Sequence, residues 1–79
     1  MSSILIPEYH KNRLEYLGAF LRLARIIECK SIIEACEKMD INKNTLLRVE
    51  NGENSTLVTL FKIADYYKIP ISELFLDID

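Results

Sequence analysis

Glycine and proline are scarce, with two of each among 79 residues. So few turn formers argue against small sandwiches, barrels and disulfide scaffolds. Long hydrophobic runs are also missing. Arg22, Arg25 and Glu28 interrupt the longest apolar stretches, so no segment offers the roughly 20 apolar residues of a membrane-spanning helix. The first residues lack a charged region followed by an apolar core and a small-residue cleavage site, so no signal peptide is expected. The two cysteines, Cys29 and Cys36, have six residues between them and match no zinc or redox spacing; reduced thiols in a cytoplasmic protein are the expectation. The one histidine, His10, has no Cys, Asp or Glu set at metal-ligand spacing and is expected on the surface. With no phosphate loop, catalytic triad or paired-carboxylate motif, the sequence supports neither catalysis nor a cofactor or metal.

What is present favours helices. The chain is 49% hydrophobic and 28% charged, the balance of a soluble globular domain, and its length leaves room for one domain only. A domain of this size buries only about 60% of the surface its unfolded chain exposes, so an oligomer interface would add stability. Net charge is −2, and it is unevenly spread. Residues 1–30 carry five basic and three acidic groups, 31–52 three and four, and 53–79 two and five. An acidic total argues mildly against nucleic acid, whose phosphates supply most non-specific affinity. A basic front half facing a polyanion, with the acidic tail turned away, weakens that objection.

The apolar opening Ile4-Leu5-Ile6 reads as a short strand, an arm or a disordered end. Pro7 suits the first turn of a helix, and no breaker other than Gly18 appears from Glu8 to Lys30. Leu14, Leu17, Leu21 and Ala24 line one face of that amphipathic helix. Ser31 followed by Glu34 is a capping box, predicting a short second helix to about Met39 with Ala35, Cys36 and Met39 inward. Asp40-Ile41-Asn42 is a tight connection, and Asn42 is a good N-cap for a third helix to about Glu50. Asn51-Gly52 stops it, Gly52 taking the left-handed conformation. Ser55 or Thr56 caps a fourth helix with Leu57, Leu60, Phe61, Ala64 and Tyr67 inward and Tyr66 outward. After Pro70 a last turn or two carries Ile71, Leu74 and Phe75. The expectation is five helices with short links: residues 1–16 as an N-terminal arm or helix extension, and 17–79 as the domain.

A helix, a three-residue turn and a second helix have helix-turn-helix spacing. Here the chain resembles the phage-repressor/Cro-type (Xre-like) helix-turn-helix family. The matching residues are Leu17-Gly18-Ala19-Phe20-Leu21, Arg25, Ser31 to Met39, Asn42 to Gly52 with Val49-Glu50-Asn51-Gly52, and Leu57 through Phe75, about three quarters of the chain. The Glu-Asn-Gly ending at the right distance from the capped second helix is the specific part. The resemblance implies an all-α, five-helix, lambda-repressor-like DNA-binding domain. It also implies a pair between Arg25 and Glu50 that ties the first helix to the end of the recognition helix and orients the arginine near the DNA backbone. Asn51 matches a position that donates to phosphate. There are departures. Ile32 stands where the family places a phosphate-holding glutamine, Asp40 replaces the turn glycine, and Lys68 replaces the glycine after the fourth helix. The loop after Gly52 is about a residue short and lacks a proline.

At about 100° per residue with Lys43 at zero, Thr45, Val49 and Leu46 fall at roughly 200°, 240° and 300°, an inward stripe. Lys43, Leu47, Asn44 and Arg48 fall at roughly 0°, 40°, 100° and 140°, an outward one. Eight residues make roughly 12 Å of helix, matching a major groove about 12 Å wide. Asn pairs bidentately with adenine, and Arg or Lys with guanine. In the register the resemblance implies, the DNA-contacting set is expected to be Asn42, Lys43, Asn44, Leu47, Arg48 and Asn51, with Ser31 and Arg25. For Leu47 two readings stand: contact with a thymine methyl, or the edge of the core if the helix is rotated by tens of degrees. Cys36 sits where the family prefers alanine and reads as a packed core thiol.

Two functions follow. One is a sequence-specific DNA-binding transcriptional regulator, a repressor, acting as a homodimer whose contacts come from residues 1–16 or the Leu74-Phe75-Leu76 end. The other is a protein-interaction module, such as an antitoxin binding a partner toxin. Lys43, Asn44 and Arg48 favour the first; the acidic tail, Ile32 and the Ile4-Leu5-Ile6 arm favour the second.

Overall fold

The computed structural model describes residues 6–28 and 30–75. Expectations that fell on Ile4, Leu5, Cys29 and Leu76 lie outside the described residues. Five helices make up the described chain: α1 (Glu8–Ile27), α2 (Ile32–Met39), α3 (Lys43–Glu50), α4 (Leu57–Tyr67) and α5 (Ile71–Leu74). Pro7 occupies the N-cap of α1, which runs unbroken across residues 16 and 17 and stops at Glu28 rather than Lys30.

Local chemistry sets the boundaries. The Ser31 hydroxyl accepts from the Glu34 N–H at 3.1 Å, and the Asn42 side chain accepts from the Asn44 N–H at 2.7 Å. Of the two candidates for the fourth cap, Thr56 takes the role, its hydroxyl accepting from the Thr59 N–H. Each cap satisfies an N–H with no partner inside its helix. Asp40 and Lys68 end α2 and α4 in the left-handed region, with φ of 58° at both, where the family has glycine. Gly52 ends the α3 segment at φ 84°.

The core is assembled from every helix: Leu17 and Leu21 of α1, Ala35, Cys36 and Met39 of α2, Leu46 and Val49 of α3, Leu60, Ile63 and Ala64 of α4, and Leu74 of α5. α1 packs chiefly on α3, and α2 bridges α3 and α4. Gly18 is buried where α1 crosses the end of α3; a methyl there would run into the Val49 and Glu50 carbonyl oxygens. The face of α4 differs from the expected one. Leu57 and Phe61 are exposed, and Ile63 takes the place assigned to them. Tyr67 is half-buried, and so is Tyr66, which was expected to point outward; both pack against the core, edge to face. In α5 only Leu74 is buried, while Ile71 and Phe75 stay exposed.

Candidate nucleic-acid interface

α3 is held from three sides. Its hydrophobic anchors Leu46 and Val49 are almost fully buried. Its C-terminal carboxylate, Glu50, is buried as well and receives two parallel hydrogen bonds from Arg25, Nε to Oε2 at 2.8 Å and a terminal nitrogen to Oε1 at 3.0 Å. The other terminal nitrogen of Arg25 donates to the Lys30 carbonyl at 2.9 Å. One guanidinium thus clamps the end of α1, the link into α2 and the end of α3. Bidentate, charge-assisted bonds of this kind fix geometry as well as adding energy. The bond to Glu50 holds the Arg25 guanidinium above its usual pKa, against the opposing effect of burial. The side chains are 13% and 4% exposed, so the pair is an internal strut.

The stripe facing the core is turned from the expected one. Leu46, Val49 and Glu50 are buried, while Thr45 and Leu47 are both half-buried. On the wheel Leu46 and Glu50 fall at roughly 300° and 340°, so the inward direction centres near Leu46, with Thr45 and Leu47 on its two flanks. On that side of the helix the buried Glu50 carboxylate is held by Arg25. The outward direction then lies between Asn44 and Arg48, both exposed, as are Lys43 and Asn42. Leu47 is not part of the core cluster; it sits at the rim between core and solvent.

Arg48 makes only a long contact to Glu53, at 4.0 Å with both side chains largely exposed, so its guanidinium is held weakly. Beside it lies a cleft of about 250 Å³ lined by Thr45, Arg48, Asn54, Ser55, Thr56 and Thr59. The polar wall contributed by Asn54, Ser55 and Thr59 was not anticipated. The polar run Glu53-Asn54-Ser55-Thr56 next to Gly52 was the available signal. Ser31 and Asn51, at the start of α2 and the end of α3, are exposed. Ile32 is half-buried against the core, so its side chain is spent on packing.

The remaining titratable groups belong to packing. Burial pushes the Cys36 thiol up from its usual pKa, which suits a core thiol and not a nucleophile. Tyr67 is pushed up to about 12, first by burial and then by Glu50, and its hydroxyl meets no partner among the described residues. His10 is exposed beside Tyr9 and Arg13. No group of metal-binding side chains is present among the described residues, and no described helix is long and apolar enough to cross a membrane.

A capped α2, a left-handed turn at Asp40 and an α3 with one buried and one polar face form a helix-turn-helix. A helix-turn-helix family model of the Xre/lambda-repressor type matches residues 21–74. The chain belongs to this family. Among curated proteins, none matches it. The matched span begins at Leu21 and ends at Leu74, so the first three turns of α1 lie outside it, including the segment that carries Tyr9, Arg13 and Tyr16. As a member of the family the domain is an all-α, lambda-repressor-like fold and a DNA-binding helix-turn-helix regulator.

Proposed function

We propose that this helix-turn-helix protein is a sequence-specific transcriptional repressor that inserts α3 into the major groove as a homodimer. One observation carries the reading. α3 is locked from behind by Leu46, Val49 and the Arg25–Glu50 clamp, while Lys43, Asn44 and Arg48 stand exposed along its other side. A rigid scaffold presenting amide and cationic side chains is what base readout needs, because the major groove is read by placed donors and acceptors. Asn42, Lys43, Asn44 and Arg48 address base edges, and Leu47 at the rim meets a thymine methyl. The Ser31 hydroxyl, the Asn51 amide and the part of the Arg25 fork not bound to Glu50 or Lys30 address phosphates. Repression by occupancy needs no surface beyond these contacts, and the work is done in the cytoplasm.

A gel shift against DNA flanking its own gene, at two salt concentrations, tests the reading. A shift that persists at the higher salt and is lost on Asn44→Ala with Arg48→Ala supports it. Absence of any sequence preference overturns it. A second reading, a protein-interaction module such as an antitoxin, draws on Leu57, Val58 and Phe61, which are adjacent and exposed on α4. Under that reading Phe61→Glu abolishes partner binding and Arg48→Ala does not.

A further inference from the structure

The side of α1 away from the Leu14, Leu17 and Leu21 stripe has an order of its own. Tyr9, Arg13, Tyr16, Phe20, Leu23 and Ile27 are spaced alternately four and three residues apart, the spacing of a coiled-coil seam. This seam is separate from the inward stripe of Leu14, Leu17 and Leu21. Four of its six members are open to solvent, Tyr9 at 56%, Tyr16 at 50%, Leu23 at 54% and Ile27 at 70%, while Arg13 and Phe20 are half-buried. Tyr9, Tyr16 and Leu23 are exposed and lie outside the core cluster, while Phe20 packs against its edge. The Arg13 guanidinium carbon lies over the Tyr9 ring, 4.0 Å from its centroid, and the group donates to the Tyr9 hydroxyl, so the arginine covers apolar surface. Beside the seam a cavity of about 230 Å³ opens between α1 and the end of α4, walled by Phe20, Leu23, Tyr67 and Ile69.

We propose that α1 pairs with α1 of a second copy of this chain, antiparallel, through this seam. The inference deepens the homodimer of the proposed function by naming its surface. Charge decides both occupant and direction. A parallel pairing would stack Arg13 on Arg13 of the other copy, at an unfavourable like-charge position. An antiparallel pairing centred near Gly18 sets Arg13 across from Leu23 of the second copy, Tyr9 across from Ile27 and Tyr16 across from Phe20. The Arg13 guanidinium, folded back toward Tyr9, then meets Glu28 of the second copy, an exposed carboxylate at the end of α1. Ala19 flanks the centre of the seam and lets the helices approach closely. A tyrosine ring of each copy fills the cavity beside Phe20 and Leu23 of the other.

The placement also suits two recognition helices. α3 packs on the opposite side of α1, against Gly18 and through Arg25, so the seam leaves it uncovered. Packed helices lie about 8–10 Å apart, so α3, α1 and their two counterparts in a row set the recognition helices roughly 24–30 Å apart. That approaches the half-site separation of about 34 Å.

Sedimentation of the full chain without DNA tests this. Wild type is expected to be a dimer at tens of micromolar. Leu23→Glu, on an exposed position, raises the dissociation constant about tenfold or more, with the helical circular dichroism and melting temperature kept. Arg13→Glu and Glu28→Arg each weaken the dimer, and the combination Arg13→Glu with Glu28→Arg restores it. A monomeric wild type, a dimer indifferent to Leu23→Glu but lost on Phe61→Glu, or a failed charge-swap rescue overturns the proposal. Because association is read without DNA, these results stand apart from the gel shift that tests DNA recognition.

Discussion

At the scale of single residues, Arg25 separates scaffold from contact most sharply. Its side chain is 13% exposed and Glu50's is 4%, so removing the arginine leaves a carboxylate in a nearly dry site. Loss of one member of a buried pair costs about 3–5 kcal/mol, and in a domain this small each kcal/mol moves the melting temperature by roughly 4–8 °C. Arg25→Ala therefore lowers the melting temperature by roughly 12 °C or more and weakens DNA binding, whereas Arg25→Leu with Glu50→Leu regains most of the stability, since no charge is left buried alone. Equal melts for the single and double variants would show the pair to be incidental. Leu47 gives the opposite pattern. It is half-buried and outside the core cluster, so Leu47→Ala costs well under the 2–5 kcal/mol typical of a buried leucine. It relaxes the preference for one T·A pair by about 1 kcal/mol, the low end for a single mismatch. Melting and a binding-site selection on the same variant read both quantities.

At the scale of elements, the sequence was most legible where local chemistry acts alone. Ser31 and Asn42 announce α2 and α3 because a cap needs only its own helix's N–H groups, and both caps are present. The left-handed turn at Gly52 is legible for the same reason. The faces of α3 and α4 were less so, because a helical wheel does not say what lies opposite. Leu57 and Phe61 look like core residues by hydropathy, yet Ile63 is the one buried where α4 packs on α2 and α5. The wheel's polar and apolar pattern puts Thr45 inward, whereas burial of Glu50 against Arg25 puts Thr45 at the flank. The DNA-contacting set was legible only through the family resemblance; the polar wall of Asn54, Ser55 and Thr59 depends on how α4 meets α3. The ends of α2 and α4 carry a testable consequence. Lys68 adopts φ 58° at a position where its Cβ crowds the backbone, at about 1 kcal/mol. Lys68→Gly relieves that strain, offset in part by the greater entropy of an unfolded glycine. Its melting temperature is expected to rise by a few degrees, on the order of half of the 4–8 °C per kcal/mol of a domain this size. A drop would mean that the lysine side chain supports the end of α4.

At the scale of the whole molecule, charge is the limiting quantity. A protein of net charge −2 has little general attraction for a polyanion, so its affinity for DNA must come from a few placed groups. Of the groups proposed to meet phosphate, Ser31 and Asn51 are neutral and Arg25 is already paired with Glu50, so their contacts release fewer counterions than free cations do. The exposed cations on the α3 side are Lys43 and Arg48, both directed at base edges in the proposed function. Each phosphate neutralised by a cation adds about −0.9 to the slope of log affinity against log salt, and proteins with 6–10 such contacts fall steeply. For this dimer the slope is expected to be shallower than about −5. Arg48→Ala distinguishes its two roles within the same titration. A base contact leaves the slope unchanged and relaxes one G·C position in each half-site by about 1–3 kcal/mol, whereas a phosphate contact weakens all sequences alike and removes about one unit of slope per subunit, roughly two for the dimer. The long, exposed contact of Arg48 with Glu53 costs little to break, so the guanidinium is free to reach a base edge. An unchanged slope with relaxed specificity is the expected result; a slope reduced by roughly two with specificity intact would move Arg48 from the groove to the backbone.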